Sequence, residues 1–167
     1  MCEDANLCGD ITIATGCVIH PSATIIAESG PIIFGENCII EESSTIIHRV
    51  PKNQNIDNEM AAAKPILRIG ANNVFEVGCR VEALEIGDKN TFECKSYVSS
   101  DVKISNGCII GAGCRVDGKF DLPENTVIYG RDCSQREALE KQGVSLIHYF
   151  CKHIILTFIY NFSHKMH

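Results

Sequence analysis

The chain has 167 residues and a net charge of −6, with 45% apolar residues and ten cysteines. This length fits one domain with a substantial core, and the apolar fraction excludes a disordered composition. The acidic balance argues against a nucleic-acid-binding protein. The charge is unevenly distributed, because residues 144–167 contain two lysines, four histidines and no acidic residue.

The first ten residues, MCEDANLCGD, contain neither a basic start nor an apolar run. The sequence therefore predicts no secretory signal, and free thiols rather than a secreted disulfide framework. Near the other end, the uninterrupted apolar segment 154–160 is far shorter than the ~20 residues that a membrane span requires. We therefore expect no transmembrane helix.

Apolar residues recur at every sixth position along most of the chain. The frame starts at Ile13, shifts by three residues near Gly30, is interrupted after Ile46, resumes at Ile69 and loses one residue before Ile86. All positions of the frame are apolar: Ile13, Ile19, Ile25, Phe34, Ile40, Ile46, Ile69, Phe75, Val81, Ile86, Phe92, Val98, Ile104, Ile110, Val116, Leu122 and Ile128. A second column, four residues after most of these, is mostly small: Cys17, Ala23, Ser29, Cys38, Ser44, Asn73, Cys79, Asn90, Ser96, Val102, Cys108, Cys114, Phe120 and Thr126.

This hexapeptide repeat predicts a parallel β-helix, because an amphipathic α-helix would repeat its apolar residues every 3.6 positions and not every six. Each block supplies one short strand and one turn, and three blocks close a coil. We predict an all-β solenoid of about six coils over 1–133, followed by a C-terminal helical tail over 134–167. The polar segment 51–66 breaks the period and is predicted to be a loop extruded from one corner. Asn73 and Asn90 are predicted to form a side-chain ladder.

One outer face of the predicted solenoid is apolar. Strand side chains alternate, so the residue before each inward aliphatic points outward. On two faces these residues are mostly polar, whereas the third displays Val18, Ile39, Val74, Thr91, Ile109 and Val127. Such a patch is not left in water by a soluble monomer, so we expect the chain's own tail or a partner to cover it.

Three carboxylates are predicted to stand in register beside this apolar face, namely Glu41, Glu76 and Glu93. Their mutual repulsion would be relieved by a cationic partner, although a solvated acidic face explains them equally well. The five small-column cysteines are explained by packing alone, since buried thiols behave as small hydrophobes.

Enzymes with this repeat, acyltransferases and zinc carbonic anhydrases, depend on histidine as a base or a metal ligand. Only His20 and His48 fall within the predicted coils, and we interpret both as ordinary surface residues. We therefore predict no catalytic, metal or cofactor site. The alternative is a homotrimeric enzyme, either an acyltransferase or a γ-class carbonic anhydrase-like protein, which assembles its site between subunits.

Several strings are more specific than the repeat. The segments IIAESGPIIFGENCIIEESSTII, GANNVFEVGC, IGDKNTFECKSYV, GCIIGAGC and LPENTVIYGRDC closely resemble the dynactin subunit 6 family, from about Gly9 to about Cys133. The resemblance implies a left-handed β-helix without enzymatic activity. Met1 arrives almost at the first repeat, and the segment after Cys133 matches the family poorly, so both ends are atypical.

The resemblance also implies partners and a location. The expected partners are dynactin subunit 5 and the other pointed-end subunits, an actin-related protein and a zinc-binding subunit. Dynein and cargo adaptors would be reached indirectly through the complex. The expected locations are the cytoplasm, the cytoskeleton and the kinetochore. The candidate docking face would be the apolar column with its three glutamates.

Overall fold

The computed structural model describes residues 4–49 and 64–138, which form nineteen β-strands. Strands three apart in the chain pair in parallel, so every third strand falls in the same sheet. Sheet A contains β1 (Asn6–Cys8), β4 (Thr24–Ala27), β7 (Thr45–His48), β10 (Arg80–Val81), β13 (Tyr97–Val98) and β16 (Arg115–Val116). Sheet B contains β2 (Ile11–Ile13), β5 (Ile32–Phe34), β8 (Leu67–Ile69), β11 (Glu85–Ile86), β14 (Val102–Ile104) and β17 (Phe120–Leu122). Sheet C contains β3 (Val18–Ile19), β6 (Ile39–Ile40), β9 (Val74–Phe75), β12 (Thr91–Phe92), β15 (Ile109–Ile110), β18 (Thr126–Tyr129) and β19 (Ser134–Glu137).

The predicted all-β solenoid of about six coils is confirmed, and the frame shifts match the pairing register. Thr91 pairs with Ile109 after three regular blocks, which make one complete coil. Val18 pairs with Ile39 after a longer coil, because that coil contains the three extra residues near Gly30. Val74 pairs with Thr91 after a coil that is shorter than the regular one, because one residue is missing before Ile86.

The core is a set of side-chain columns that run along the axis of the solenoid. All positions of the six-residue frame are buried except Ile13, which lies on β2 at the N-terminal end of sheet B and is half-buried. Phe75 and Phe92 occupy adjacent coils, and their rings stack with centroids 4.7 Å apart and planes 5° apart. Parallel pairing places identical positions one strand spacing apart, so flat aromatic rings can stack along the column.

The turns between the sheets use backbone conformations with positive φ. At the corner between sheets B and C, the residue before each small-column position has a φ between 55° and 76°: Gly16, Asn37, Asn72, Lys89, Gly107 and Asn125. Glycine and asparagine tolerate this region, as the repeat predicts. The repeat does not predict a lysine at position 89. A hydrogen bond between coils holds it in this conformation, since its N–H donates to the Ala71 carbonyl at 2.9 Å.

A buried ladder of asparagine side chains joins three coils at this corner. Asn73 Oδ1 accepts a hydrogen bond from the Asn90 N–H at 2.9 Å, and Asn90 Oδ1 accepts one from the Cys108 N–H at 2.7 Å. The Nδ2 of Asn73 donates to the carbonyls of Gly70 and Gly87. The two asparagines therefore occupy adjacent coils as predicted, but each accepts from the backbone of the next coil and not from the other amide, and Nδ2 of Asn90 has no hydrogen-bond partner among the described residues. These bonds satisfy backbone groups that the turn would otherwise leave unpaired.

The predicted C-terminal helix is wrong for its first residues. Ser134–Glu137 form β19, which pairs antiparallel with β18 after a turn in which Cys133 has a φ of 50°. The chain reverses here because the turn at 130–133 returns it along the last strand of sheet C. The remainder of the predicted tail, 139–167, and most of the predicted loop, 50–63, lie outside the described residues.

Phe120 also departs from the prediction, because it falls in the small inward column yet is 39% exposed. It lies on β17, the terminal strand of sheet B among the described residues, and pairs on one side only, with Val102 of β14. Its ring therefore has a coil beneath it and none above it in that part of the chain. Within 4–49 and 64–138, no helix has the length and hydropathy of a membrane span.

We expect Asn73→Ala to lower the free energy of unfolding by about 2–3 kcal/mol, because it removes the partner of the buried Asn90 N–H and of the Gly87 carbonyl. Urea unfolding would measure the loss. Asn106→Ala is the matched control, since Asn106 also accepts an N–H from the preceding coil, at 2.7 Å, but is exposed to water. Equal losses for the two variants would contradict the argument.

Phe92→Ala should lower the free energy of unfolding by about 3–5 kcal/mol, because it removes a buried ring and its stack with Phe75. The half-exposed Phe120→Ala should cost about 1 kcal/mol or less. Thermal unfolding of both variants would test the comparison. A similar shift in the two melting temperatures would show that ring stacking within the coils contributes little.

Candidate docking surface

The outer face of sheet C brings together the six residues that the sequence predicts. The pairing register places them in one column across six strands, in the order Val18, Ile39, Val74, Thr91, Ile109 and Val127. We call this column the apolar stripe. β19 extends the sheet by one strand and places Arg136 opposite Val127, so the stripe ends at a cation. Arg136 also lies over the Tyr129 ring, 5.6 Å from its centroid.

The outer faces of the other two sheets have a different chemistry. In sheet B, Glu85 pairs with Lys103 and Lys103 with Asp121, so opposite charges alternate along an exposed column. In sheet A, the guanidinium of Arg115 lies 4.2 Å from the centre of the Tyr97 ring. These faces suit contact with water, and the apolar stripe is the exception among the three.

The three glutamates beside the apolar stripe are hydrogen-bonded to the next coil. Glu93 Oε2 accepts from the Ala112 N–H at 2.9 Å, and Glu76 Oε2 accepts from the Cys94 N–H at 3.0 Å. Glu41 Oε2 accepts from the Val77 N–H at 3.2 Å. Each carboxylate therefore satisfies a turn N–H one coil further on, a role that the sequence analysis missed. The signal is present in the sequence, because a glutamate recurs at the same repeat position where the turn leaves a donor unpaired.

These bonds change how the glutamates are interpreted. The sequence predicts that the carboxylates repel one another and favour a cationic partner. Because the backbone donors compensate part of each charge, the need for a partner cation is smaller than the sequence suggests. The three side chains are half-buried and still form a negative edge along the apolar stripe.

The thiols near this surface are held in their protonated form. A hydrogen bond to Glu76, at 3.3 Å, raises the pKa of the exposed Cys94 thiol. Burial raises the pKa of Cys79, Cys108 and Cys114, and a hydrogen bond with Cys17 together with burial raises that of Cys38. A thiol with a raised pKa is a poor nucleophile and a poor metal ligand at neutral pH.

Cys108 and Cys114 lie at different corners of one coil, as their six-residue spacing predicts. The thiol of Cys108 donates to the Pro123 carbonyl at 3.1 Å, and that of Cys114 donates to the Gly130 carbonyl at 3.4 Å. None of the eight described cysteines forms a disulfide. The inward cysteines therefore act as small packing residues that also satisfy carbonyls of the next coil.

The two histidines of the coils are not ordinary surface residues. His48 is 2% exposed, and its Nδ1 lies 3.0 Å from the Gly30 carbonyl oxygen. This contact lies where the three extra residues interrupt the repeat. His20 is half-buried on the C-terminal side of β3, and its Nε2 is buried. In the described part of the chain, no group of three or more His, Cys, Asp or Glu side chains is arranged to hold a metal ion.

Comparison with known proteins gives relatives over most of the chain, although no family model matches it. Dynactin subunit 6 of Nematostella vectensis is 45% identical over 141 residues, covering 84% of this chain and 76% of that protein. Dynactin subunit 6 of Danio rerio is 45% identical over the same length, covering 72% of that protein. The protein of that name from Xenopus tropicalis is 46% identical, with 69% of it covered.

Among solved structures, a hexapeptide transferase family protein from Anaplasma phagocytophilum superposes with a TM-score of 0.57. The match covers 92% of this chain and 90% of that chain at 13% identity, so it shows the solenoid fold alone. The three dynactin subunit 6 relatives are 45–46% identical to this chain, far above the 13% identity of the solved structure. The chain belongs to the dynactin subunit 6 family.

Proposed function

We propose that this chain is a non-catalytic structural subunit of the dynactin complex, which offers the outer face of sheet C to a neighbouring subunit. Membership of the family supports the role in the complex. The observation that carries the choice of surface is the apolar stripe, which is in register across six strands of a rigid solenoid. No chemistry is required of this surface, only its shape and polarity.

The dimensions of the apolar stripe suit the centre of an interface. Six strands at about 4.8 Å make a column roughly 24 Å long. A standard interface buries about 800 Å² per partner and has an apolar core inside a polar rim. The apolar stripe would supply the core, and Glu41, Glu76 and Glu93 would supply one side of the rim. Their fixed positions, set by bonds to the next coil, reduce the entropy lost on binding.

The partners follow from the same proposal. The neighbour on sheet C is dynactin subunit 5, within a pointed-end complex that also contains an actin-related protein and a zinc-binding subunit. Through that complex the chain supports dynein-driven transport on microtubules and the docking of cargo adaptors. The corresponding locations are the cytoplasm, the cytoskeleton and the kinetochore.

Ile109→Asp should weaken binding to subunit 5 by about 100-fold or more, because it buries an unpaired charge at the centre of the stripe. Ile33→Asp is the matched control: Ile33 is also half-buried, also precedes an inward residue, and points outward from sheet B. Co-purification of tagged subunit 5 with each variant would measure the effect. Equal capture of the two variants would overturn the assignment of the surface.

The rival function is the homotrimeric enzyme. It predicts a trimer in solution with bound zinc, or acyl transfer that depends on a histidine. The mass of the purified chain, determined together with its metal content, separates the two functions. A zinc-containing trimer would overturn the structural role, whereas a metal-free chain that enters a complex with subunit 5 would support it.

A further inference from the structure

The outer face of sheet B carries four charges that alternate in sign from one strand to the next. The four residues, on β8, β11, β14 and β17, are Arg68, Glu85, Lys103 and Asp121. Glu85 pairs with Lys103, which pairs with Asp121. Ile69 pairs with Ile86, so the residues before them are in register as well. We call this row of exposed side chains the charged column.

The charged column is accessible, and its charges are not neutralised by ion pairs within the described part of the chain. None of the ion pairs found between residues 4–49 and 64–138 involves any of its four members. The positions that follow the inward aliphatic residues, which hold glutamates beside the apolar stripe, hold small residues on sheet B, namely Gly70, Gly87 and Ser105. No long side chain at these positions shields the charged column on that side.

The order of the charges is complementary to itself when it is reversed. Both copies of a pair advance by the same strand spacing of about 4.8 Å, so two antiparallel columns stay in step along their whole length. Arg68 of one copy then lies opposite Asp121 of the other copy, and Glu85 lies opposite Lys103. Every member of the column meets an opposite charge. A parallel arrangement in the same register would place like charges opposite each other, which is costly.

We propose that the charged column is the contact between two antiparallel copies of this chain, which form a symmetric dimer through the outer face of sheet B. The interface is isologous, so the same four residues of each copy form four ion pairs of two kinds. The inference goes beyond the proposed function, because sheets B and C are different faces of the solenoid and the dimer does not use the apolar stripe.

The size and the chemistry of the contact predict a weak, reversible dimer. Four strands make a column roughly 14 Å long, which corresponds to interfaces below about 1,200 Å² in total. Exposed ion pairs each contribute little, so we expect a dissociation constant on the order of micromolar. The net charge of −6 on each copy opposes association. The local order of charges must therefore hold the dimer, and reversing single charges tests it directly.

Complementary charge reversal is the experiment. Lys103→Glu places like charges opposite each other in the two central pairs, and Glu85→Lys does the same with the opposite sign. We expect each variant alone to have a dissociation constant at least tenfold higher than the wild type. An equimolar mixture of the two variants restores opposite charges at all four positions, so it should form a heterodimer of nearly wild-type affinity. Sedimentation equilibrium of the full-length chains, at one fixed salt concentration, measures all of these.

Arg115→Glu is the control for net charge. It changes the charge by the same amount as Lys103→Glu, but at an exposed position on the outer face of sheet A. It should leave the dissociation constant within about twofold of the wild type, because the effect depends on the position of the charge. Thermal unfolding of each variant checks that the fold is retained, as expected for substitutions at exposed positions.

Three results would overturn the proposal. A wild-type chain that is still monomeric at about 1 mM would show that the charged column does not associate. A dimer that survives both single reversals would lie on another face. A mixture of the folded variants that associates no more than each variant alone would exclude the antiparallel pairing. None of these results affects the co-purification with subunit 5, so the two proposals can fail separately.

Discussion

The structure depends on satisfying the backbone at each corner of the coil. A strand of two or three residues makes few ladder bonds, so every turn leaves donors and acceptors that burial would make costly. The fold meets this cost with side chains that reach one coil further along the axis. Asn73 and Asn90 do so inside the corner, and Glu76 and Glu93 do so outside it. Together with the backbone bonds between coils, these corner bonds hold the register in which the aliphatic core stacks.

Much of the fold could be predicted from the sequence because its constraint is periodic. An inward position recurs every sixth residue, so Ile19 and Ile110 identify the same column from opposite ends of the chain. The insertion near Gly30 is equally visible, since its three extra residues shift the six-residue frame of apolar positions by three. A reversal of direction has no such period. The sequence of Ser134–Glu137 is compatible with a helix, and only the pairing of β19 with β18 decides for a strand.

The candidate surface was less predictable than the fold. The position of Ile109 on an outer face follows from alternation, and the structure places it in line with Thr91 and Val127. The partner of Glu76 does not follow from any local pattern, because the donor that it binds lies one coil away, in another turn. His48 shows the same limit, since its burial depends on a carbonyl at Gly30 in an irregular coil.

The reversal at β19 has a consequence for the supramolecular behaviour of the chain. A parallel solenoid adds coils by exposing an unpaired strand edge, and the same edge can accept a strand from another molecule. An antiparallel strand breaks the geometric repeat, so a further parallel coil cannot continue sheet C in register from it. Arg136 and Glu137 add charge to that exposed strand. Within residues 4–49 and 64–138, the turn at 130–133 thus ends the parallel stacking of sheet C, and the charged strand after it disfavours end-to-end growth into fibres.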